Sequence, residues 1–200
     1  MLSKDTFAIC SGATDDGVKS VMYLLDAKNP RSLKMISKLE SDSSFKSRLV
    51  SDGQSIFGVI ESEGDEKLAA FSSSDPITKE QDVPLNGGIV AGPWLTPAGI
   101  LVLLDDDTLY CFGTDLSGKW KLKLENDKFA CPPEIVGAQL MLCSRSGKIS
   151  LLDPSTGKPV TEFSVGQPII HRPVRTDGKM YLSGMDGTVH VVDLNRIGNQ

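Results

Sequence analysis

Hydrophobic and polar positions recur along this chain with a period of forty residues. The segment GKISLLD, which begins at Gly147, returns forty residues later as GTVHVVD from Gly187, and the same apolar positions appear in TLYCF from Thr108. Three prolines keep the period: Pro93, Pro133 and Pro173. A fixed period of this length predicts an array of one repeated supersecondary unit.

Each unit contains four short apolar runs separated by turn residues, which is typical of an antiparallel meander. In the best-preserved unit the pattern predicts strands over Pro168 to Thr176, Lys179 to Gly184 and Thr188 to Leu194, with an Asp-Gly pair in each intervening turn. The fourth strand is visible one repeat earlier, from Lys158 to Val165. Several runs are apolar at consecutive positions, as expected of strands covered on both faces by neighbouring sheets.

These features predict an all-β fold, a β-propeller of four-stranded antiparallel blades. We expect one domain over residues 1–200 with five blades. They are residues 1–42, 43–87, 88–126, 127–166 and 167–200.

The strand count leaves the ends of the array open. The first blade lacks its inner strand, the last lacks its outer strand, and the segment Met1 to Thr6 offers little material to close a ring. Three arrangements satisfy this count: a fragment of a seven- or eight-bladed chain, an open array completed by another copy, or a small five-bladed ring. Unpaired strand edges favour self-association.

The period loosens in the first half, where five extra residues fall in the acidic stretch Glu61 to Glu66. Because an insertion between two strands is tolerated best in a surface loop, this stretch is predicted to be one. A second acidic group, Asp105 to Asp107, resembles a cluster of calcium ligands but lacks the glycine and glutamate that follow in a calcium loop. It is interpreted as a solvated hairpin turn, as is Asp15 to Gly17.

Composition excludes several classes of function. A net charge of −5 and a pI near 5.1 argue against nucleic-acid binding, which depends on lysines and arginines at phosphates. The uncharged stretch Leu85 to Leu104 contains prolines and glycines and lies in register with the repeats, so it predicts two buried strands and no transmembrane segment. The four cysteines show no metal-site spacing and are predicted to be buried, small hydrophobic residues.

The phrase LLDPSTGKPV, continuing into VGQPIIHRPVRTDGKMYLSGMDGTVHVVD, resembles the repeat of pyrroloquinoline-quinone-type (PQQ-like) β-propellers. The segment Asp115 to Trp120 keeps that family's Gly-Lys turn and its tryptophan, whereas the next repeat lacks the tryptophan after Lys158. The resemblance implies that Trp120 packs between blades. For Trp94, packing between blades is favoured over an exposed binding role.

Two classes of protein use such blades. Quinone-dependent dehydrogenases in this family bind the quinone with calcium, and many have a disulfide between adjacent cysteines; this chain has no adjacent cysteines and no recognisable calcium and base motif. The second class, similar to the lipoprotein subunit of the outer-membrane barrel assembly machine and to sensor or adaptor domains, uses the propeller for docking. The resemblance therefore implies a protein without enzymatic activity or cofactor, in a periplasmic or cell-envelope setting.

His171 and Arg172 are the candidate ligand- or partner-binding residues. They precede Pro173 on the predicted first strand, which lines the channel of a propeller, and both side chains can donate hydrogen bonds to an anion or a peptide carboxylate. The alternatives are that Arg172 is solvated or internally paired and that His171 packs beside Pro173. His190, on a third strand, is interpreted as a packing residue.

The sequence thus favours a binding or scaffolding module that docks a protein or peptide partner, or senses a ligand. We expect rigid blades to present the segment Glu61 to Lys67 and the turn around Arg145 to that partner. Two alternatives stay open: a fragment of a quinone-dependent dehydrogenase, and a sensor domain of a larger envelope kinase or protease.

Overall fold

The computed structural model describes residues 5–11, 19–29, 31–124, 128–169 and 171–194, and these form nineteen strands in five antiparallel sheets. The predictions for Asp15 to Gly17 and for residues 1–4 lie outside the described residues. The chain divides into two compact units. The first comprises Met1–Leu95, Ile100–Asp106 and Phe112–Gly118, and the second comprises Thr96–Gly99, Asp107–Cys111 and Lys119–Gln200.

The first two sheets belong to the first unit. Sheet one runs in the order β1 (Thr6–Ser11), β2 (Ser20–Asp26), β3 (Lys34–Ser41). Sheet two contains β4 (Ser44–Phe45), β5 (Val50–Ser51), β6 (Ser55–Ser62), β7 (Asp65–Ser72) and β8 (Lys79–Pro84). Both β4 and β5 pair with β6, so the first strand of this sheet is interrupted. At the interruption the Ser47 hydroxyl accepts the Val59 N–H at 2.8 Å, which satisfies a donor that a continuous strand would have paired.

The remaining sheets follow one another along the chain; the third and fourth have the predicted four strands, and the fifth has three. Sheet three contains β9 (Ile89–Thr96), β10 (Gly99–Leu104), β11 (Thr108–Phe112) and β12 (Gly118–Lys123). Sheet four contains β13 (Glu134–Val136), β14 (Gln139–Cys143), β15 (Lys148–Leu152) and β16 (Pro159–Ser164). Sheet five contains β17 (Val174–Thr176), β18 (Lys179–Ser183) and β19 (Val189–Asp193).

Each of the two compact units has a core built from the apolar faces of neighbouring sheets. In the first unit Met22 and Leu24 of β2 are buried together with residues of the second sheet such as Phe71. In the second unit Met141 and Ile149 of the fourth sheet pack with Met180 of the fifth. The strands in the middle of each sheet are therefore covered on the faces that the repeat predicted, and the all-β propeller fold is confirmed.

The hairpins of the last repeat form where the Asp-Gly pairs predicted them. Asp177 and Gly178 have φ angles of 50° and 70°, so both occupy the left-handed region that a two-residue hairpin turn requires. The first strand of that repeat is shorter than the predicted Pro168 to Thr176, because only β17 and an isolated bridge at Ile169 are paired. Proline lacks an N–H donor, and Pro173 interrupts the ladder just before β17.

The acidic stretch Glu61 to Glu66 is not a loop, which corrects the sequence-based prediction. Its residues extend the β6–β7 hairpin, with Glu61 paired to Glu66 and Ser62 paired to Asp65. Only Glu63 and Gly64 form the turn, with φ angles of 57° and 88°. The extra residues lengthen two paired strands, so the insertion is a hairpin tip of fixed register.

The uncharged stretch Leu85 to Leu104 forms the strands β9 and β10 with a turn at Pro97 and Ala98, as predicted, but β9 is only partly buried, with Val90 61% exposed. All six residues of β10 are buried. In the described part of the chain, no helix has the length and apolar character needed to cross a membrane.

Candidate functional site

The candidate residues lie where the fourth and fifth sheets meet, within the second unit. His171 and Arg172 are exposed and precede β17, so the prediction that they lie on the first strand is wrong. Glu134, the first residue of β13, stands forty residues before the first residue of β17. Because equivalent positions of consecutive repeats lie side by side, the segment before β17 lies next to Glu134.

Two arginines hold the Glu134 carboxylate. Arg172 donates from Nε to Glu134 Oε1 at 2.6 Å and from Nη2 to the same oxygen. Arg175 places Nη2 at 3.0 Å from Oε2 and donates from Nη1 to the Ile135 carbonyl at 2.9 Å. The internal pairing considered for Arg172 from the sequence is thus confirmed, and the arrangement is a charge-assisted carboxylate clamp.

The clamp is asymmetric in its exposure to solvent. The Glu134 side chain is 13% exposed, whereas those of Arg172 and Arg175 are 68% and 37% exposed. Two guanidinium groups and one carboxylate leave a net positive charge, and the positive groups form the outer surface. We call His171, Arg172 and Arg175 the basic junction.

Arg145 is held by its backbone and its side chain against the segments that precede the fourth and fifth sheets. It lies in the turn between β14 and β15, where its carbonyl accepts the Ile169 N–H at 3.1 Å and its Nε donates to the Phe129 carbonyl at 3.3 Å. The turn is therefore tied to the chain segments that lead into both sheets. Arg145 is exposed, so its remaining donors face solvent.

His190 has a structural role where the segment between β16 and β17 meets β19. Its Nε2 lies 2.5 Å from Gln167 Nε2 and 3.1 Å from Thr188 Oγ1. Gln167 also donates to Thr188 Oγ1, so the three polar groups satisfy one another next to the apolar core. Packing of His190 between blades stays a prediction.

The cysteines divide into two kinds. Cys111, Cys131 and Cys143 are buried as predicted, whereas Cys10 is only partly buried. Burial raises the pKa of Cys111 to about 11. A hydrogen bond with Cys143 instead lowers the pKa of Cys131, against the opposing effects of burial and of Glu134.

Trp120 joins β12 to the fourth sheet, as the repeat predicted. Its Nε1 donates to the Pro154 carbonyl at 2.9 Å, and its ring covers Gly157 so closely that a Cβ there would lie 2.5 Å from Trp120 Cε3. Both contacts fall on the turn that connects β15 to β16. Trp94, in the first unit, is 9% exposed and has the Arg48 guanidinium carbon 5.9 Å from its ring centroid, so it too is packed between sheets.

A cavity of about 320 Å³ lies beside Trp120's strand, between β12 and the fourth sheet. Its apolar wall includes Leu122, Phe129 and Leu142, and its polar edge carries Lys148 and Glu162. Lys148 Nζ and Ser150 Oγ both bind Glu162 Oε1, at 2.9 and 2.8 Å. These contacts hold the pKa of Glu162 below its usual value. The sequence contained no signal for this cavity beyond the small residue at position 150.

The acidic triplet Asp105 to Asp107 lies in the turn between β10 and β11, as predicted. Asp107 has a φ angle of 58°, and the Asp105 N–H donates to the Gly88 carbonyl at 2.9 Å. Among the described residues, no group of three or more histidine, cysteine or acidic side chains is arranged to hold a metal ion.

Comparisons with known proteins support the fold. BamB from Moraxella catarrhalis superposes with a TM-score of 0.64 at 13% identity, over 96% of this chain and 62% of that one. Saccharomyces cerevisiae Sqt1 gives 0.60 at 14% identity, over 94% and 57%. The computationally designed Ika8 protein gives 0.60 at 15% identity, over 92% and 54%.

These similarities are to the fold alone, because the identities are low. The chain spans roughly three fifths of the length of the solved structures that it matches. No protein-family model matches the sequence, and no curated protein matches it. The chain is a β-propeller protein whose fold is shared with BamB and Sqt1.

Proposed function

We propose that this protein is a non-catalytic binding module that docks an acidic segment of a protein partner at the basic junction. The observation that supports the proposal is the clamp on Glu134, in which two exposed arginines hold an internal carboxylate by charge-assisted contacts. A partner's glutamate or aspartate side chain would meet the outward faces of the same guanidinium groups.

The geometry leaves donors for such a partner. A guanidinium group has five N–H donors, and Arg172 directs Nε and Nη2 to Glu134 while 68% of its side chain remains exposed. His171 adds an exposed imidazole beside Arg172. An acidic segment lying along the basic junction would neutralise the positive charge of the two arginines that the single Glu134 carboxylate does not balance.

The net charge of the whole chain indicates where on its surface an acidic partner would bind. Because the protein carries a net charge of −5, an acidic partner is repelled by most of its surface and attracted at the basic junction. Binding should therefore be selective for position and should weaken with added salt, since exposed charges are screened within about 10 Å at 0.1 M salt.

A direct test uses a fluorescein-labelled peptide of alternating glutamate and glycine, with the glutamine version as the control peptide. We expect fluorescence anisotropy to detect binding of the acidic peptide only, and the double substitution Arg172→Gln and Arg175→Gln to weaken it by about tenfold or more. Arg31→Gln is the matched control, because Arg31 is an exposed arginine of the first unit.

Three results would contradict the proposal: no binding of the acidic peptide to the unmodified chain, equal binding of the glutamine peptide, or equal weakening by Arg31→Gln. Circular dichroism of each variant separates loss of binding from loss of fold. A lasting absorbance band after addition of pyrroloquinoline quinone and calcium would instead favour the dehydrogenase-fragment alternative.

Three finer features belong to the proposal; the first rests on the resemblance to PQQ-like propellers, the second on the repeat and the third on the unpaired strand edges. They are a periplasmic or cell-envelope location, a single domain over residues 1–200 with the five blades given above, and self-association through open propeller edges. Localisation of the tagged chain by cell fractionation tests the first of these. Sedimentation at increasing protein concentration tests the last.

A further inference from the structure

The cavity between β12 and the fourth sheet has no role in the docking function proposed above. Three of its lining residues, Leu142, Ser150 and Glu162, form a row across β14, β15 and β16, because Ser150 pairs with both of the others. Glu134 pairs with Met141, the neighbour of Leu142, and successive residues of a strand point to opposite faces of the sheet. The cavity and the basic junction therefore lie on opposite faces of the fourth sheet.

The larger part of the cavity lining is apolar. It includes the buried Leu142 and Leu152 of the fourth sheet and the partly buried Leu122 and Phe129. A volume of about 320 Å³ is at the small end of the range of about 300–1,000 Å³ that ligand pockets occupy. The size and the apolar lining therefore fit a small molecule with one ring or one branched chain.

The polar part of the lining contains charges of both signs. Lys148 Nζ and Ser150 Oγ both bind Oε1 of Glu162, at 2.9 and 2.8 Å, so the other carboxylate oxygen keeps its capacity to accept hydrogen bonds. The same contacts lower the pKa of Glu162, so its side chain is charged at neutral pH. Lys123 of β12 adds a second positive group to the lining. The lining can thus attract an ammonium group and a carboxylate at different points.

We propose that this cavity is a binding site for a free amino acid with a large apolar side chain. The ammonium group of the ligand donates to the Glu162 carboxylate, and the ligand carboxylate lies near Lys123 and Lys148. The ligand side chain packs against the leucines and Phe129 of the lining. A zwitterion adds no net charge to two lysines and one glutamate. An amine alone would add a third positive charge, and an apolar acid alone would bring its carboxylate beside that of Glu162 with no donor between them.

The repeat indicates how the site can be closed by substitution. Tyr110 of β11 and His190 of β19 stand forty residues before and after Ser150. Ser150 is 9% exposed and lines the cavity, so a larger side chain at this position would occupy the space of the ligand. Ser150→Tyr fills the cavity with the residue that β11 carries at the equivalent position.

The test titrates the full chain with L-phenylalanine and follows the leucine methyl groups by NMR. We expect a dissociation constant of about 0.1–1 mM, because a ligand of this size makes few contacts. Phenethylamine lacks the carboxylate, 3-phenylpropionate lacks the ammonium group, and glycine lacks the apolar side chain. Each should bind about tenfold more weakly or not at all. This series needs no substitution in the protein.

Three substitutions locate the ligand. Ser150→Tyr should abolish binding of L-phenylalanine. Glu162→Gln should weaken binding of L-phenylalanine by about tenfold but should not weaken binding of 3-phenylpropionate, which has no ammonium group to lose. Lys123→Gln should weaken L-phenylalanine and leave phenethylamine unaffected. Lys128→Gln is the matched control, because Lys128 is exposed and does not line the cavity.

Failure of the unmodified chain to bind L-phenylalanine would overturn the proposal. So would equal binding of either analogue, undiminished binding by Ser150→Tyr, or equal weakening of L-phenylalanine and 3-phenylpropionate by Glu162→Gln. The acidic peptide is tested separately at the basic junction, so failure of either proposal leaves the other standing.

Discussion

The two sheet junctions of the second unit are built differently from the same repeat. Where β12 meets the fourth sheet, Trp120 lies over Gly157 and a cavity of about 320 Å³ remains beside it. Where the fourth sheet meets the fifth, an apolar cluster is continuous and the arginine clamp on Glu134 borders it. The repeat sets where sheets meet, whereas single residues decide whether the junction is filled, open or charged.

One repeat position shows how a single residue changes a junction. Ser150 stands forty residues after Tyr110 and forty before His190. In the later repeat the His190 imidazole is hydrogen-bonded to Gln167 and Thr188. Ser150 instead has a small side chain that lines the cavity and bonds Glu162. Tyr110 and His190 carry rings at this repeat position, whereas Ser150 carries only a hydroxymethyl group. The small Ser150 side chain leaves room between β12 and the fourth sheet.

The largest expected effect is at Gly147, in the turn between β14 and β15, which lies against the segment that leads into the fifth sheet. A Cβ at this position would lie 2.0 Å from the Gln167 carbonyl oxygen, and its φ is +93°. Because backbone atoms cannot move aside cheaply, Gly147→Ala should cost about 3 kcal/mol or more in the free energy of unfolding, measured with urea. Gly187→Ala is the matched control, since it has a φ of +85° and open space around it. Equal losses for the two variants would contradict the steric account.

The second expected effect tests the tryptophan contact. Gly157 has a φ of +68°, and a Cβ there would meet the Trp120 ring at 2.5 Å. Gly157→Ala should therefore cost about 2 kcal/mol, with the control Gly166→Ala, whose φ is +77° and whose surroundings are open, costing about 1 kcal/mol. In a double-mutant cycle with Trp120→Leu, the cost of the alanine should shrink, because the ring that it strikes is gone. Strict additivity would count against this contact.

The third expected effect tests the charged junction. Glu134→Gln keeps the shape of the side chain but removes its charge, so Arg172 and Arg175 lose their charged partner. Since Arg172 is largely exposed, solvent screens much of the interaction, and the loss in unfolding free energy should be about 1 kcal/mol. In a double-mutant cycle, the coupling free energy between Glu134→Gln and Arg172→Gln should fall as salt is added. A coupling that salt leaves unchanged would show that packing, not charge, holds this junction.

The smallest expected effect concerns pH and the turn beneath Trp120. Hydrogen bonds from Ser155 lower the pKa of Asp153 below its ordinary value. A lowered folded-state pKa stabilises the protein above the unfolded pKa, and this contribution is lost as pH falls through the folded value. Trp120 fluorescence should therefore change in acid, below about pH 4. Asp153→Asn keeps an acceptor for Ser155 without a titrating group, so it should remove this acid-induced change while leaving the neutral spectrum intact.

Local signals in the sequence accounted for much of the fold. The Asp-Gly pair at 177–178 predicts a hairpin because both residues accept positive φ, and that hairpin formed as expected. The acidic stretch Glu61 to Glu66 was mispredicted, since charge indicates exposure but does not tell a loop from the tip of a paired hairpin. For Arg172 the sequence predicted the wrong element, because Pro173 ends the strand pairing there and Arg172 lies before β17.

The period, the turn residues and the doubly apolar runs determined by themselves that the chain forms antiparallel sheets stacked on one another, because these features act through neighbours a few residues apart and through repetition. The tertiary structure alone decided which side chains meet across the junctions: Arg172 with Glu134, and Trp120 with Gly157. Such contacts depend on how far each strand extends and on which residue fills each repeat position, and both are settled only when the sheets pack.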